Sequence, residues 1–180
     1  MKKTIFVILA VFAATVAYAQ QPFQEGTTMA NLGIGVGTNL GGLGNARPAI
    51  SIAVDHGFWD VGGPGVISLG GYLGNTGYRY NGMGYTSKWN YMVIGVRGAY
   101  HYNGFSSVPE LDLYGGLMLA YNIVNYSYDG SGTPVANSYG SGLGLTGFVG
   151  ARYFFTDNFG AFAELGYGVS ALNVGVTFKF

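Results

Sequence analysis

The side chains most able to perform acid–base or nucleophilic chemistry in this sequence are its two histidines, His56 and His101. Hydrolysis by a serine nucleophile needs a histidine base beside the hydroxyl group and a carboxylate that orients the base. A dyad of His101 with Asp55 or Ser51 would supply part of this arrangement, but no G-x-S-x-G motif accompanies either histidine. We therefore interpret both histidines as interfacial or interior residues, and we predict no catalytic residue.

Cofactor, metal and nucleic-acid sites are not indicated either. The chain has no cysteine, and its histidines lack the H-x-x-E-H spacing, or a similar one, of zinc enzymes. The glycine clusters at 33–37 and 41–44 do not read G-x-G-x-x-G and precede no Lys-Ser or Lys-Thr, so they predict no phosphate-binding loop. Beyond the two N-terminal lysines, acidic side chains outnumber basic ones, which disfavours nucleic-acid binding. We expect no cofactor, no metal and no nucleic-acid partner.

The N-terminal residues have the pattern of a secretory signal peptide. Two lysines precede an apolar stretch at about 5–16, and Ala17-Tyr18-Ala19 matches an A-x-A cleavage site. A transmembrane anchor would need ~18 to 20 consecutive apolar residues, which this stretch does not reach. We predict a signal peptide at 1–19, cleaved after Ala19, and one exported domain at 20–180.

The composition suits a membrane protein without membrane-spanning helices. Only 9% of the residues are charged and 49% are hydrophobic, whereas a water-facing surface usually carries far more charge. The chain has 33 glycines, 15 tyrosines and 12 phenylalanines, but beyond the signal peptide no apolar run reaches helix-spanning length. These features are typical of a transmembrane β-barrel, which crosses the membrane in ~10-residue alternating segments.

Eight segments of the predicted domain alternate between apolar and small or polar residues, as strands with one apolar face do. They lie at about 28–38, 48–56, 66–74, 89–102, 110–124, 142–155, 159–168 and 173–180. Eight strands with both chain ends on one side form an even-numbered, closable meander. The predicted fold is all-β, an eight-stranded antiparallel up-and-down transmembrane β-barrel.

The connections and the aromatic residues orient this predicted barrel. If the first strand leaves the periplasm, the outer loops are 39–47, 75–88, 125–141 and 169–171, and the periplasmic turns are 57–65, 103–109 and 156–158. Outer loops are expected to be longer than periplasmic turns, and three of the four agree. An interfacial girdle of aromatics is expected at the periplasmic strand ends: Phe58, Tyr100, Tyr102, Tyr153, Phe155, Phe178 and Phe180.

Charged side chains fall on the polar faces of these segments, which would line the lumen, because a charge at mid-depth on the lipid face costs ~2 to 4 kcal/mol. We expect three ion pairs: Arg152 with Glu164, which are equidistant from Asn158; Arg97 with Glu110 or Asp112, depending on whether Asn103-Gly104 forms the turn; and Lys179 with Glu25 or Asp55. We interpret these pairs as structural, with a gated polar path as the alternative. Large inward aromatics beside many glycines predict a lumen filled by side chains.

The signal peptide, the eight alternating segments and the closing run 173–180 resemble the small outer-membrane β-barrels of the OmpX, opacity-protein and OmpA-barrel type. The stretch 150–168 is similar to the penultimate hairpin of such barrels. The resemblance implies that Val174, Val176, Phe178 and Phe180 form the signal read by the barrel-assembly machinery. It also implies a location in the outer membrane of a Gram-negative-type bacterium, with outer-membrane lipid as a partner. Members of this family range from adhesion to envelope structure, so the resemblance does not assign an activity.

The outer loops would carry any recognition function. Two of them are rich in tyrosine, asparagine, serine and glycine, the composition of adaptable binding loops, and the candidate residues are Tyr78, Arg79, Tyr80, Tyr85, Tyr126 and Tyr128. The alternative is a flexible loop with interfacial tyrosines. We predict a non-enzymatic, monomeric barrel with a structural or adhesive role and a possible surface ligand. Two alternatives are a lipid-modifying barrel enzyme and a soluble, secreted glycine-rich β protein.

Deletion of Phe180 should impair assembly more than stability, because the resemblance places this residue in the assembly signal. The measurement is the amount of truncated chain in the outer-membrane fraction, beside urea unfolding of the same chain refolded into lipid vesicles. A truncated chain that reaches the outer membrane at the normal level would show that Phe180 has no role in assembly.

Overall fold

The computed structural model describes residues 21–36, 45–130, 140–166 and 168–180. The predicted signal peptide, 1–19, lies outside these residues. The described residues form nine strands: β1 (Thr28–Val36), β2 (Asn45–Ala46), β3 (Ala49–Asp60), β4 (Gly65–Gly82), β5 (Tyr85–Tyr102), β6 (Leu111–Gly130), β7 (Gly142–Phe154), β8 (Phe159–Gly166) and β9 (Leu172–Lys179). Within the same ranges, no helix is long and apolar enough to cross a membrane.

Eight of these strands close into a barrel. Each pairs antiparallel with its neighbour in the chain, from β1–β3 through β8–β9, and β9 pairs back onto β1. The short β2 stands outside the ring and, among the described residues, pairs with β4 alone. Closure leaves no free edge along the paired length, as a lipid environment requires. The prediction of an eight-stranded antiparallel up-and-down transmembrane β-barrel is confirmed.

The alternation of side chains gives the barrel an apolar outside and a buried inside. In β3, Ile50 is 62% exposed, whereas Ser51 and Asp55 on the opposite face are 8% and 0% exposed. The outward rows of the other barrel strands are likewise leucine, isoleucine, valine and aromatic residues, including Leu69, Val96 and Leu117. These rows form the lipid-facing belt. The faces predicted from the period-two pattern are therefore confirmed in each of the eight strands.

The two rims of the barrel differ. We call lower the rim that carries the chain ends and the turns at 61–64, 103–110 and 155–158, and upper the opposite rim. The predicted girdle aromatics lie at the lower ends of their strands, and most are exposed. Several contact one another or an adjacent aromatic edge-on or tilted, with ring centroids 5.1 to 6.2 Å apart.

Three neighbouring strands continue above the upper rim. β4, β5 and β6 have 18, 18 and 20 residues, whereas β1, β8 and β9 have 8 or 9. Beyond Asn75, where pairing with β3 ends, and Asn122, where pairing with β7 ends, these strands pair only with one another and with β2. We call residues 76–82, 85–91 and 123–130 the extension.

The extension corrects two of the predicted loops. Most of 75–88 and the first part of 125–141 are strand, and Met83-Gly84 makes the turn between β4 and β5, with Gly84 at φ +81°. Tyrosine, threonine and tryptophan favour a strand here more strongly than glycine, asparagine and serine favour a loop. The rest of 125–141, as far as 139, and most of the predicted loop 39–47 lie outside the described residues.

Side chains fill the lumen, as the alternation of large and small inward residues predicted. Tyr72, Tyr91, Tyr114, Phe148 and Phe162 are all buried. The two ends of the lumen are covered by elements that the sequence did not indicate. Each covering element packs against specific residues of the barrel.

At the lower end, residues 21–27 fold back under the barrel. Phe23 is fully buried with Met29, Val66 and Phe154, and its carbonyl oxygen accepts a hydrogen bond from Asn103 Nδ2 at 2.8 Å. At the upper end, the turn before β9 places Val169 on Gly74, where an added Cβ would lie 2.7 Å from the valine. A glycine is therefore required at position 74 for this contact.

Candidate functional site

A cluster of ionisable side chains crosses the lumen in its lower half. It consists of Asp55, Arg97, His101, Asp112, Arg152 and Glu164, each 7% exposed or less, which we call the lumen cluster. Together with bonded Asn31, Ser68 and Tyr114, these side chains come from seven of the eight barrel strands. Inward positions of a closed sheet point to one axis, so residues remote in sequence meet there.

Arg97 links two carboxylates. Its Nη1 and Nη2 donate to the two oxygens of Glu164 at 3.3 and 2.8 Å, and its Nε lies 3.0 Å from Asp55 Oδ1. The guanidinium carbon lies 3.9 Å from the ring centroid of Phe148. A bidentate pair with a stacked aromatic fixes the plane of the guanidinium group as well as its position.

Arg152 links a second pair of carboxylates. Its Nη2 donates to Asp55 Oδ2, its Nη1 donates to Asp112 Oδ2 at 2.9 Å, and its Nε donates to Asn31 Oδ1 at 3.1 Å. Its guanidinium carbon lies 4.2 Å from the ring centroid of Tyr114. Asp55 is therefore shared between the two arginines, and removing either partner would leave a buried charge uncompensated.

The cluster ends in a serine–histidine–aspartate chain. His101 Nδ1 lies 3.1 Å from both oxygens of Asp112, and its Nε2 lies 2.9 Å from Ser68 Oγ. This connectivity is that of a nucleophile, a base and an orienting carboxylate. The dyad of His101 with Asp55 or Ser51 that was weighed from the sequence is not the arrangement observed, because the β5–β6 register puts His101 opposite Tyr114 and next to Asp112.

The serine–histidine–aspartate chain is enclosed, and the backbone around its serine is paired. Ser68, His101 and Asp112 are fully buried, and the ring of Phe23 stacks on His101 at 3.9 Å. Ser68 lies in β4, which pairs with a strand on each side, so the surrounding backbone N–H groups serve the sheet rather than an oxyanion. The other histidine, His56, bonds Thr28 Oγ1 through Nδ1 at 2.8 Å and is half-buried.

The predicted pair of Arg152 with Glu164 is wrong. The β7–β8 hairpin aligns Arg152 with Phe162 and Glu164 with Gly150, so its centre lies at residue 157 instead of Asn158. Moving the centre by one residue changes the pairing by two, which keeps every side chain on its face but changes its partner. Arg152 and Glu164 therefore both point inward and bind different groups.

The predicted pairing of Arg97 with Glu110 or Asp112 is also wrong, because Asn103-Gly104 does not form the hairpin turn. Neither residue has a positive φ, which a type I′ turn needs, and the register aligns Arg97 with Met118. Asn103 instead holds the N-terminal segment through its bond to Phe23. Glu110 is exposed at the lower rim, outside the lumen cluster.

Lys179 does not pair with Glu25 or Asp55. The β1–β9 register places it opposite Met29, and its Nζ lies 5.5 Å from the ring centroid of Phe154. Among the described residues, no carboxylate lies within 4 Å of its ammonium group.

On the face that continues the lumen side of the barrel, the extension carries the buried Tyr91. Above it lie six further aromatic side chains, which we call the aromatic face. Tyr78, Trp89 and Tyr126 form one row with one residue from each strand, their ring centroids 5.3 and 5.1 Å apart. Tyr80, Tyr85 and Tyr128 form a second row above it, at 6.0 and 5.8 Å.

Five of the six predicted recognition residues thus lie on the aromatic face. The sixth, Arg79, lies on the opposite face beside Lys88, its cross-strand partner. The predicted recognition residues do not include Trp89, because the alternation places it at the start of the predicted membrane strand 89–102. The alternation does contain the signal for Trp89, since it lies on the same face as Tyr85 in one continuous strand.

An apolar outer belt and a filled, charged interior define the class of the small eight-stranded outer-membrane β-barrels, and the chain has that fold. No known protein family matches the chain by sequence, and no curated protein does.

Solved structures match through the fold. The attachment invasion locus protein Ail of Yersinia pestis is similar with 15% identity and a TM-score of 0.55, over 87% of this chain and 100% of that one. Ail in complex with the heparin analogue sucrose octasulfate matches with 13% identity and a TM-score of 0.51, over 87% and 100%. A de novo designed transmembrane β-barrel matches with 16% identity and a TM-score of 0.52, over 88% and 98%.

A double-mutant cycle tests the pairing in the lumen. Arg97→Met and Glu164→Gln should each destabilise the barrel and should show a coupling free energy of about 1–3 kcal/mol, because they remove the same bidentate pair. Arg152→Met and Glu164→Gln should couple less strongly. The measurement is urea unfolding of the chain refolded into lipid vesicles. A larger coupling for Arg152 with Glu164 would contradict the structure.

Proposed function

We propose that the protein is an integral outer-membrane barrel that interacts with a surface or ligand through its extension. The predicted export signal at 1–19, with its predicted cleavage after Ala19, supports the route to the outer membrane. The aromatic girdle lies at the lower rim, and the extension rises from the upper rim, where such barrels carry their longer connections. This supports a periplasmic position for the lower rim. The extension then projects from the outer surface of the cell.

The observation that carries this function is the aromatic face. Six aromatic side chains on three paired strands are half-exposed or exposed, above the level where the barrel is closed. Paired strands hold such side chains with little loss of conformational freedom on binding, and tyrosine and tryptophan dominate binding hot spots. Ail is an attachment invasion locus protein, and an attachment role for this chain is our proposal on the basis of its own extension.

The lumen cluster has a structural role in this proposal. Its charges bind one another across seven strands and so hold the inward residues in one arrangement. We propose a monomeric, non-enzymatic barrel, with Val174, Val176, Phe178 and Phe180 as the assembly signal and outer-membrane lipid around the belt. The exposure of Val174 and Phe180 on the belt side fits a signal that must be read before closure.

A barrel hydrolase is the second candidate, because Ser68, His101 and Asp112 have the required connectivity. A fluorophosphonate probe reacts with activated serines and tests this candidate directly. We expect no labelling of the refolded wild-type chain, and none of Phe23→Ala, in which the cover over His101 is reduced. Labelling that disappears in Ser68→Ala would establish a reactive serine and overturn the non-enzymatic proposal.

The attachment proposal is tested by removing the first aromatic row. Tyr78→Ser, Trp89→Ser and Tyr126→Ser combined should leave folding intact, since these rings lie above the closed barrel. The variant should reduce binding of bacteria displaying the protein to cultured epithelial monolayers by about tenfold or more, as loss of aromatic hot spots does.

The matched control for this experiment is Asn81→Ser with Thr86→Ser, which changes the opposite face of the extension, three residues nearer its tip. Heat-modifiable migration on gels reports folding in every variant. Attachment that persists in the aromatic variant, or that falls equally in the control, would show that the aromatic face is not the binding surface.

A further inference from the structure

The basic residues on the outside of the upper barrel are concentrated at one place. Of the basic side chains beyond Lys3, Arg97 and Arg152 lie in the lumen and Lys179 lies near the lower rim. The remaining three are Arg47, Arg79 and Lys88, and all three lie on the outer face of the extension, around an open depression of about 910 Å³.

Several contacts fix the position of Arg47 on this face. Its Nη2 donates to Asn75 Oδ1 and to Asn90 Oδ1, both at 2.9 Å. Its guanidinium group lies over Gly77, where an added Cβ would be 2.8 Å from Nη2 and 2.9 Å from Nε. The backbone holds the same residue, because Arg47 N donates to Gly77 O at 2.8 Å and Thr76 Oγ1 donates to Arg47 O at 3.0 Å. Two side-chain amides and a glycine thus position the guanidinium group, and two further hydrogen bonds hold the Arg47 backbone.

The other two cations adjoin this group. Arg79 and Lys88 are cross-strand partners, and Lys88 is also the partner of Ser127 on β6. In the described part of the chain, no carboxylate lies within 4 Å of any of the three cations. The acidic residue of this face is Asp129, at the far tip opposite Thr86. The positive charge is therefore not neutralised by the protein itself.

The position of the cations along the strands can be compared with the edge of the lipid hydrocarbon. On the outward rows the last apolar residues are Leu73, Met92 and Ile123, and each is followed two positions higher by an asparagine, 75, 90 or 125. Two strand residues advance about 7 Å, the distance from the edge of the hydrocarbon to the headgroups. The asparagines, and the Arg47 guanidinium group that bonds two of them, thus lie at the level of lipid headgroups. Lys88 and its cross-strand partner Arg79 lie two strand residues above Asn90.

An apolar groove lies directly below the cations on the same face. It has a volume of about 600 Å³, crosses β3 to β7 and is lined outward by Ile52, Val54, Leu73, Ile94, Leu119 and Leu143. Its floor includes Gly71, an outward position without a side chain, where an added Cβ would have no neighbour closer than 3.9 Å. The groove ends at Leu73, two residues below Asn75.

We propose that this face binds a phosphate-bearing lipid of the surrounding leaflet, with the phosphate on Arg47, Arg79 and Lys88 and an acyl chain in the groove over Gly71. Guanidinium groups bind phosphate oxygens through paired N–H donors, and an ammonium group adds a point charge. A soluble anion would use the cations alone. The apolar groove below them has no role for such an anion, and a lipid uses both.

Native mass spectrometry of the refolded full chain in detergent tests the proposal, with dioleoyl phosphatidic acid and dioleoyl phosphatidylcholine as probes. The wild type should retain phosphatidic acid about tenfold more tightly than phosphatidylcholine. Arg79→Gln with Lys88→Gln should remove that preference, and Gly77→Ala should weaken it by displacing the Arg47 guanidinium group. Gly71→Leu, which fills the groove, should weaken both lipids by a similar factor.

Lys179→Gln is the matched control, because it removes one positive charge near the opposite rim, and it should leave the preference unchanged. Heat-modifiable migration confirms folding of each variant. Two further probes distinguish the sources of the anion: inorganic phosphate and sucrose octasulfate. Equal retention of the two lipids, an equal loss in Lys179→Gln, or binding of either soluble anion as tight as that of phosphatidic acid would overturn the proposal.

Discussion

Closure of the sheet is the constraint on which the rest of this molecule depends. A strand in hydrocarbon has no water to satisfy its N–H and C=O groups, so each barrel strand must pair on both sides. The pairing of β9 with β1 completes that requirement and makes the chain ends neighbours at one rim. Once the sheet is closed, every second side chain points to lipid and every other one to a narrow axis. Side-chain chemistry then has only two environments within the membrane.

The narrow axis explains the character of the lumen cluster. Eight strands leave room for side chains but for little else, so charged groups placed there must bind one another. Asp55 receives both arginines, and the three carboxylates and two guanidinium groups alternate across the lumen. The same packing makes Ser68, His101 and Asp112 resemble a catalytic chain. Connectivity of this kind follows when polar groups are crowded at an axis. Catalysis would require, in addition, access for a substrate and a site that binds an oxyanion.

The sequence predicted well which face of its strand each residue lies on and predicted poorly which residues form ion pairs, for one physical reason. The face of a residue depends only on whether its position is odd or even within its strand, and this survives any shift of register by two. The partner depends on the centre of the hairpin, which one residue can move. Turn propensity favours centres at Asn158 and Asn103-Gly104, and both lie off the observed ones. Tertiary demands decided the second case, since Asn103 is used to hold Phe23. The burial of Phe23 had no local signal, because a single aromatic in a polar segment has no period.

The outward rows contain a membrane boundary that can be read from the sequence once the strands are known. In β4 the row runs Leu69, Gly71, Leu73 and then Asn75, with no change in strand or parity. Nothing in the backbone requires the switch from leucine to asparagine, since the ladder continues to Gly82. The change is therefore one of solvent. Above it the inner face gains aromatics and the outer face gains amides and cations, so the two faces of one continuous strand meet different partners. A strand that continues beyond its membrane segment keeps the alternation of its side chains, and only the surroundings of each face change.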